Sequence, residues 1–143
     1  MPSITGRLSP VLTVRDLGRS TAWYAEVLRM EVRRQFVDES GRVGDACLLE
    51  PSSGLEICLV DHAANPGDGF SEFRTGLDHL EFVVAKRSDL DEWANHLDTL
   101  GVPHSGVKEP AYTKNSMITF RDPDNIQLEF FWRAPEPDCS AIS

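Results

Sequence analysis

A chain of 143 residues is long enough for a real hydrophobic core, and with 41% hydrophobic and 26% charged residues it is globular rather than disordered. No apolar run approaches the roughly 18 residues that cross a bilayer, and Met1–Arg7 lacks the apolar stretch of a signal peptide, so a cytoplasmic protein without a membrane partner is expected. A net charge of −9 makes nucleic acid a poor partner, because phosphate binding needs clustered Lys and Arg, while at long range it favours cationic small molecules.

Val11–Val14 reads as a short strand. Asp16 then caps a helix whose apolar positions Leu17, Trp23, Tyr24, Val27 and Leu28 fall near helical spacing. Two strands follow over Glu31–Val37 and Gly44–Leu49, separated by the polar turn Asp38-Glu39-Ser40-Gly41. Leu55–Val60 is a fourth strand, entered through Pro51-Ser52-Ser53-Gly54. The segment from His62 to Gly76 has no sustained period and reads as a connection. Then the pattern starts again. Leu77–Val84 is a strand, and Ser88 caps a helix with Asp91 three positions on. Leu90, Trp93, Ala94, Leu97 and Leu100 give that helix its buried face, and Gly101 stops it. Strands over Pro103–Val107, Ser116–Phe120 and Ile126–Trp132 complete the set, the last one after the turn Asp122-Pro123-Asp124-Asn125.

The chain therefore carries a βαβββ pattern twice, over about 8–61 and 77–133, joined by 62–76 and followed by a tail over 134–143. Ser9–Val14 lies opposite His79–Val84, and Leu55-Glu56 opposite Leu128-Glu129. One such unit buries too little surface to be secure alone, so a paired α+β architecture in one domain is expected. The three cysteines, an odd number without CxxC spacing, indicate neither a disulfide framework nor a zinc knuckle. Cys47 and Cys58 lie in apolar strand-like runs and read as reduced core residues; Cys139 falls in the tail.

Side chains alternate across a strand, so His79, Glu81 and Val83 share one face while the apolar Leu80, Phe82 and Val84 pack beneath the helices. The same parity places Glu56 with Cys58, and Gln127 with Glu129 and Phe131. Glu129 sits among Ile126, Leu128, Phe130, Phe131 and Trp132, where an unpaired buried charge is strongly unfavourable. It must meet a cation, a donor or open water, and Glu56 poses the same question. If the two units pack about a pseudo-twofold, both carboxylates converge with His79. That mixed cluster suits a divalent ion such as Mn, Fe, Ni, Co or Zn. The ordinary alternative is a glutamate on a half-exposed sheet and a histidine that merely opens a strand.

The doubled pattern, with Asp78-His79 opening the second half and Asp122–Glu129 closing it, resembles the vicinal oxygen chelate superfamily of glyoxalase I, bleomycin-resistance proteins and extradiol dioxygenases. Val14-Arg15-Asp16-Leu17 followed by Ala22-Trp23-Tyr24 carries the same resemblance, which runs from about Leu8 to Trp132. It implies two βαβββ modules curled into an incompletely closed mixed sheet around a ligand cleft. In metal-dependent members the ligands sit at positions that correspond to Ser9, Glu56, His79 and Glu129. Serine departs from the His, Gln or Glu usual at the first of these, and the set also fails the His-His-Glu pattern of the extradiol dioxygenases.

The resemblance leaves two functional readings. In the first, Glu56, His79 and Glu129 hold a divalent metal that chelates two neighbouring oxygens of a small substrate, and Glu56 or Glu129 acts as general base, with Glu81 a further candidate. This is a glyoxalase-like lyase or isomerase, or a dioxygenase-type enzyme, with Ser9, Glu81, Tyr112, Gln127 and Phe131 around the substrate. In the second, the protein binds no metal and sequesters a small cationic, antibiotic-like molecule among aromatic residues such as Phe36, Phe70, Phe73, Tyr112 and Phe131. Pro10-Val11-Leu12-Thr13-Val14 looks like the start of the bleomycin-resistance proteins, and Pro10 suits an edge or exchanged strand. A homodimer is expected on either reading. Trp23 and Trp93 belong to helix packing. Loss of chemistry with retention of the fold is a third possibility, kept open by Ser9.

Overall fold

A computed structural model describes residues 1–136, so Cys139 lies outside the described residues. The element order is β1 (Val11–Thr13), α1 (Leu17–Val27), β2 (Glu31–Val37), β3 (Val43–Glu50), β4 (Leu55–Val60), β5 (Leu80–Val83), α2 (Arg87–Thr99), β6 (Ser116–Arg121) and β7 (Gln127–Trp132). The chain divides into two compact units, one of residues 1–70 with 122–124, the other of 71–121 with the chain from 125. Each is an α+β unit with its own open, mixed sheet. Among the described residues no helix is long and apolar enough to cross a membrane.

In the first unit the strands run in the order β1-β4-β3-β2. β1 is parallel to β4, and the β2–β3 and β3–β4 pairs are antiparallel. The parallel pairing requires a crossover, and α1 supplies it. Asp16 starts α1 as expected, its carboxylate accepting from the Arg19 N–H at 3.0 Å. Arg29, at φ 55°, closes the other end, and the Met30 N–H reaches back to the Ala25 carbonyl at 3.1 Å. Leu17, Ser20, Tyr24 and Val27 of α1 are buried, as are Ala46, Leu48, Ile57 and Leu59 of β3 and β4. By strict alternation Cys47, Leu49, Glu56 and Cys58 occupy the opposite face.

In the second unit the order is β5-β7-β6, with β5 parallel and β6 antiparallel to β7. Leu90 and Leu97 of α2 are buried, with Ile118, Phe120, Leu128 and Phe130 of the sheet. Trp93 stacks on Phe130, as its assignment to helix packing requires. Gly101 takes φ 68° just beyond the helix, where glycine alone is unstrained, and its N–H caps the Asp98 carbonyl at 3.0 Å.

Four expectations change. The strand at 77–84 is limited to Leu80–Val83, so His79 immediately precedes it. Ser88 does not cap α2. The helix begins two residues earlier, because the Asp89 carboxylate reaches back to the Lys86 N–H at 2.9 Å and fixes the first turn there. No strand forms over 103–107; isolated bridges join His104 to Phe120 and, just beyond, Lys108 to Met117. Pro103 lacks an N–H, and Gly106 at φ 72° turns the chain out of extended geometry. Finally, Cys47 and Cys58 are joined as a disulfide rather than reduced. The pair is in direct register between β3 and β4, which the sequence spacing alone did not reveal.

Candidate functional site

The second unit gathers three of the expected groups. β5 and β7 are parallel with Glu81 opposite Glu129, so the two carboxylates stand side by side on the face away from α2. His79, one residue ahead of β5, places its Nε2 3.1 Å from Glu81 Oε1 and its Nδ1 2.5 Å from Asp78 Oδ1. Ligand atoms of His79, Glu81 and Glu129 all lie within 4.8 Å of one another. The three differ in access: Glu129 is buried at 6% exposure, His79 is intermediate and Glu81 exposed.

Two groups of this cluster are shifted. Burial raises the Glu129 carboxyl above its ordinary range; His79 opposes the shift, while Glu81 and Asp78 add to it. The His79 imidazole is likewise raised, first by its bond to Asp78, against desolvation, then by Glu81 and Glu129. Three carboxylates around one histidine therefore concentrate negative charge where a cation is favoured.

The donor set fits a divalent metal. One imidazole nitrogen and two carboxylates give borderline-hard ligation with coordination positions left open. Asp78 at Nδ1 is the partner that a metal-bound histidine needs to fix its tautomer and ring plane. Its role was missed in the sequence; a carboxylate next to a ligand candidate was the available signal.

The other expected residues have partners of their own. Glu56 belongs to the first unit, where Arg34 holds its Oε1 at 2.9 Å. It lines a recess of about 590 Å³ with Arg7, Leu8, Ser9, Leu49 and Ser53. In the second unit Gln127 accepts from Arg121 at 3.0 Å, and Arg121 in turn grips Glu72 at 2.8 and 3.0 Å. Phe131 is buried, with the Arg133 guanidinium 5.7 Å from its ring centre. Tyr112 is 89% exposed, and neither aromatic is part of the carboxylate–histidine cluster.

A family model described as the glyoxalase/bleomycin resistance protein/dioxygenase superfamily matches residues 7–130. The chain belongs to this superfamily. Its folded likeness agrees. A glyoxylase/bleomycin resistance protein/dioxygenase domain from Frankia sp. EAN1pec superimposes with a TM-score of 0.80 at 33% identity, over 94% of this chain and 96% of that one. The fosfomycin resistance protein FosX from Listeria monocytogenes, complexed with Mn(II) and sulfate, gives 0.67 at 23% identity, over 92% and 95%. Lactoylglutathione lyase from Agrobacterium tumefaciens gives 0.67 at 18% identity, over 92% and 96%. These last two share the fold. No curated protein matches the sequence.

Proposed function

We propose that the chain is a metal-dependent enzyme of the glyoxalase superfamily, acting on a small substrate with two neighbouring oxygens. The observation that carries this reading is the register of Glu81 with Glu129, which sets two carboxylates beside each other against His79. Like charges so close repel each other, and a cation between them relieves that repulsion. His79, Glu81 and Glu129 would hold a divalent ion (Mn, Fe, Ni, Co or Zn), and the binding of Mn(II) by a fold neighbour supports that choice. When bound, the ion supplies Lewis acidity to the chelated oxygens.

The remaining work falls to the chain. With Asp78 at Nδ1, the proton would stay on that nitrogen and Nε2 would be the ligating atom. Glu81, the most exposed of the three groups, would be the carboxylate that takes a proton from the substrate. Buried Glu129 stays in place as the anchor.

Elemental analysis of tag-free protein tests the reading. About one equivalent of transition metal is expected, lost in Glu129→Ala. Protein that is isolated empty, with a melting temperature unmoved by Mn, Fe, Ni, Co or Zn, would overturn it. Ser9 and its recess favour the second reading, a metal-free binder of cationic molecules, which predicts that result together with saturable uptake of such a ligand.

The proposal includes a homodimer. β1 and β5 are each an edge strand of their own sheet, and each presents an exposed valine, Val11 at 61% and Val83 at 67%. Light scattering should give twice the chain mass, and Val11→Lys or Val83→Lys should shift it towards the monomer.

A further inference from the structure

We propose that Cys47, Cys58 and Glu56 form a second cation site, for a thiophilic ion such as Zn(II) or Cd(II). It is open when the two sulfurs are reduced and closed when they are joined.

The backbone brings the sulfurs together. Cys47 and Cys58 are direct partners on antiparallel strands, with Cα atoms 4.0 Å apart. The Cys58 N–H donates to the Pro10 carbonyl of the neighbouring chain segment at 3.0 Å, away from β3. The pair therefore occupies a non-hydrogen-bonded position, where opposed side chains approach most closely. Its register is fixed by the flanking pairs Ala46–Leu59 and Leu48–Ile57, all four buried against the helix side. Slipping by one residue would expose that whole set. The thiols thus meet whether or not they are bonded.

The third ligand is already aimed. Glu56 is two residues before Cys58 on the same face, with Oε1 3.9 Å from Cys58 Sγ. Arg34, in register with Cys47 on β2, grips that same oxygen at 2.9 Å and holds the carboxylate over the sulfurs. Ligand atoms of the three residues lie within 4.8 Å of one another. Two sulfurs and one carboxylate oxygen are a softer set than the histidine–carboxylate cluster, and select differently among metals. Cys47 is buried and Cys58 less so, which makes Cys58 the point of entry.

Closure is a balanced exchange with a small-molecule disulfide. The Cys58 thiolate attacks it, and one small thiol leaves. Cys47 then attacks the Cys58 sulfur of the mixed disulfide, and the second small thiol leaves. The two protons lost from the protein thiols are carried off on the two small thiols.

The test is titration of full-length, phosphine-reduced protein with Cd(II), read by the ultraviolet sulfur-to-cadmium charge-transfer band, to which a histidine–carboxylate site is silent. The band should saturate near about one equivalent in the wild type, in Cys139→Ser and in His79→Ala. It should vanish in Cys47→Ser and Cys58→Ser, and Glu56→Gln should weaken binding on the order of tenfold. Wild-type protein first treated with oxidised glutathione should keep one free thiol of its three cysteines, show no band, and regain it on reduction. This folded control does not depend on any variant. No band in reduced wild-type protein, or a band that survives loss of both Cys47 and Cys58, would overturn the site. Three free thiols after glutathione treatment would overturn the switch.

Discussion

Phe130→Ala is expected to lower the stability of the chain by about 3–5 kcal/mol, one of the two largest effects predicted for it. Phe130 is 2% exposed. Its ring lies 4.1 Å from Trp93 at an interplanar angle of 18°, 5.0 Å from Phe120 at 23°, and 6.0 Å from Phe82 at 49°. It is thus the ring through which α2 and all three strands of the second unit touch. Truncation removes the transfer energy of a phenyl group and leaves a hole lined by large rings, which cannot collapse onto an alanine without moving a strand. For a chain of this size the melting temperature should fall by roughly 10 °C. Urea unfolding should report the loss as a shift in midpoint at constant slope. Phe130→Leu should cost clearly less, because most of the volume remains. A loss below about 1 kcal/mol would mean that the stack is dispensable and that the second unit takes its stability elsewhere. Glu129 is the preceding residue on β7 and faces the other way, so the packing of Phe130 also positions that carboxylate.

What the sequence disclosed follows from which interactions are local. Alternation along β5 and β7 is a local property, and it put His79, Glu81 and Glu129 on the side away from the helix, where they are found. The cap at Asp16 and the stop at Gly101 were equally legible, because each depends on a few adjacent residues. The start of α2 was misplaced because Lys86, Ser88 and Asp89 all lie within one turn, and the choice falls to the carboxylate that reaches the free N–H. The cysteine pair was missed for another reason. Cys47 and Cys58 lie three residues in from the closing pair Glu50–Leu55, so their meeting depends on a turn that spans residues 51–54 without a slip. Glu50 secures that turn by accepting from the Ser53 and Ser52 hydroxyls and from their N–H groups at 2.7 and 3.1 Å, bonds that together hold its own carboxyl down to about 2. Neither cysteine carries that information. Asp122 and Asp124 read as turn residues; their burial depends on partners about a hundred positions earlier, and no window along the chain contains both sides of the contact.

Asp124→Ala is expected to cost about 1.5–3 kcal/mol, through lost hydrogen bonds to a charged group rather than lost packing. The Asp124 carboxylate, 7% exposed, accepts from Arg15 Nε at 2.7 Å, from the Arg15 N–H at 3.1 Å and from the Ser20 hydroxyl at 3.3 Å. Its own N–H donates to Asp122 Oδ1 at 2.9 Å, and Asp122 Oδ2 receives the Tyr24 hydroxyl at 2.8 Å. Two buried carboxylates thereby tie the start and middle of α1 to the turn at 122–124. Removing the Asp124 carboxylate leaves the Ser20 hydroxyl, at 1% exposure, without this acceptor, whereas the Arg15 guanidinium at 39% can turn to water. Asp124→Asn keeps one acceptor oxygen and should lose less than the alanine variant. Equal losses would mean that shape rather than hydrogen bonding matters there. Tyr24 supplies an independent check through pH. Its hydroxyl is held well above the ordinary phenol value of about 10, first by burial, then by the charge and hydrogen bond of Asp122 and the charge of Asp124. A group raised in this way stabilises the fold below its unfolded value and loses that contribution as pH rises, because the unfolded chain ionises first. Stability of the wild type should therefore fall as pH climbs beyond about 10. Tyr24→Phe should lower stability at neutral pH by about 1.5–3 kcal/mol, the worth of a hydrogen bond to a charged group, and should flatten the alkaline decline. An alkaline limb of the same steepness in both proteins would show that Asp122 does not hold Tyr24 neutral, and the tie between α1 and the turn would then rest on Asp124 alone.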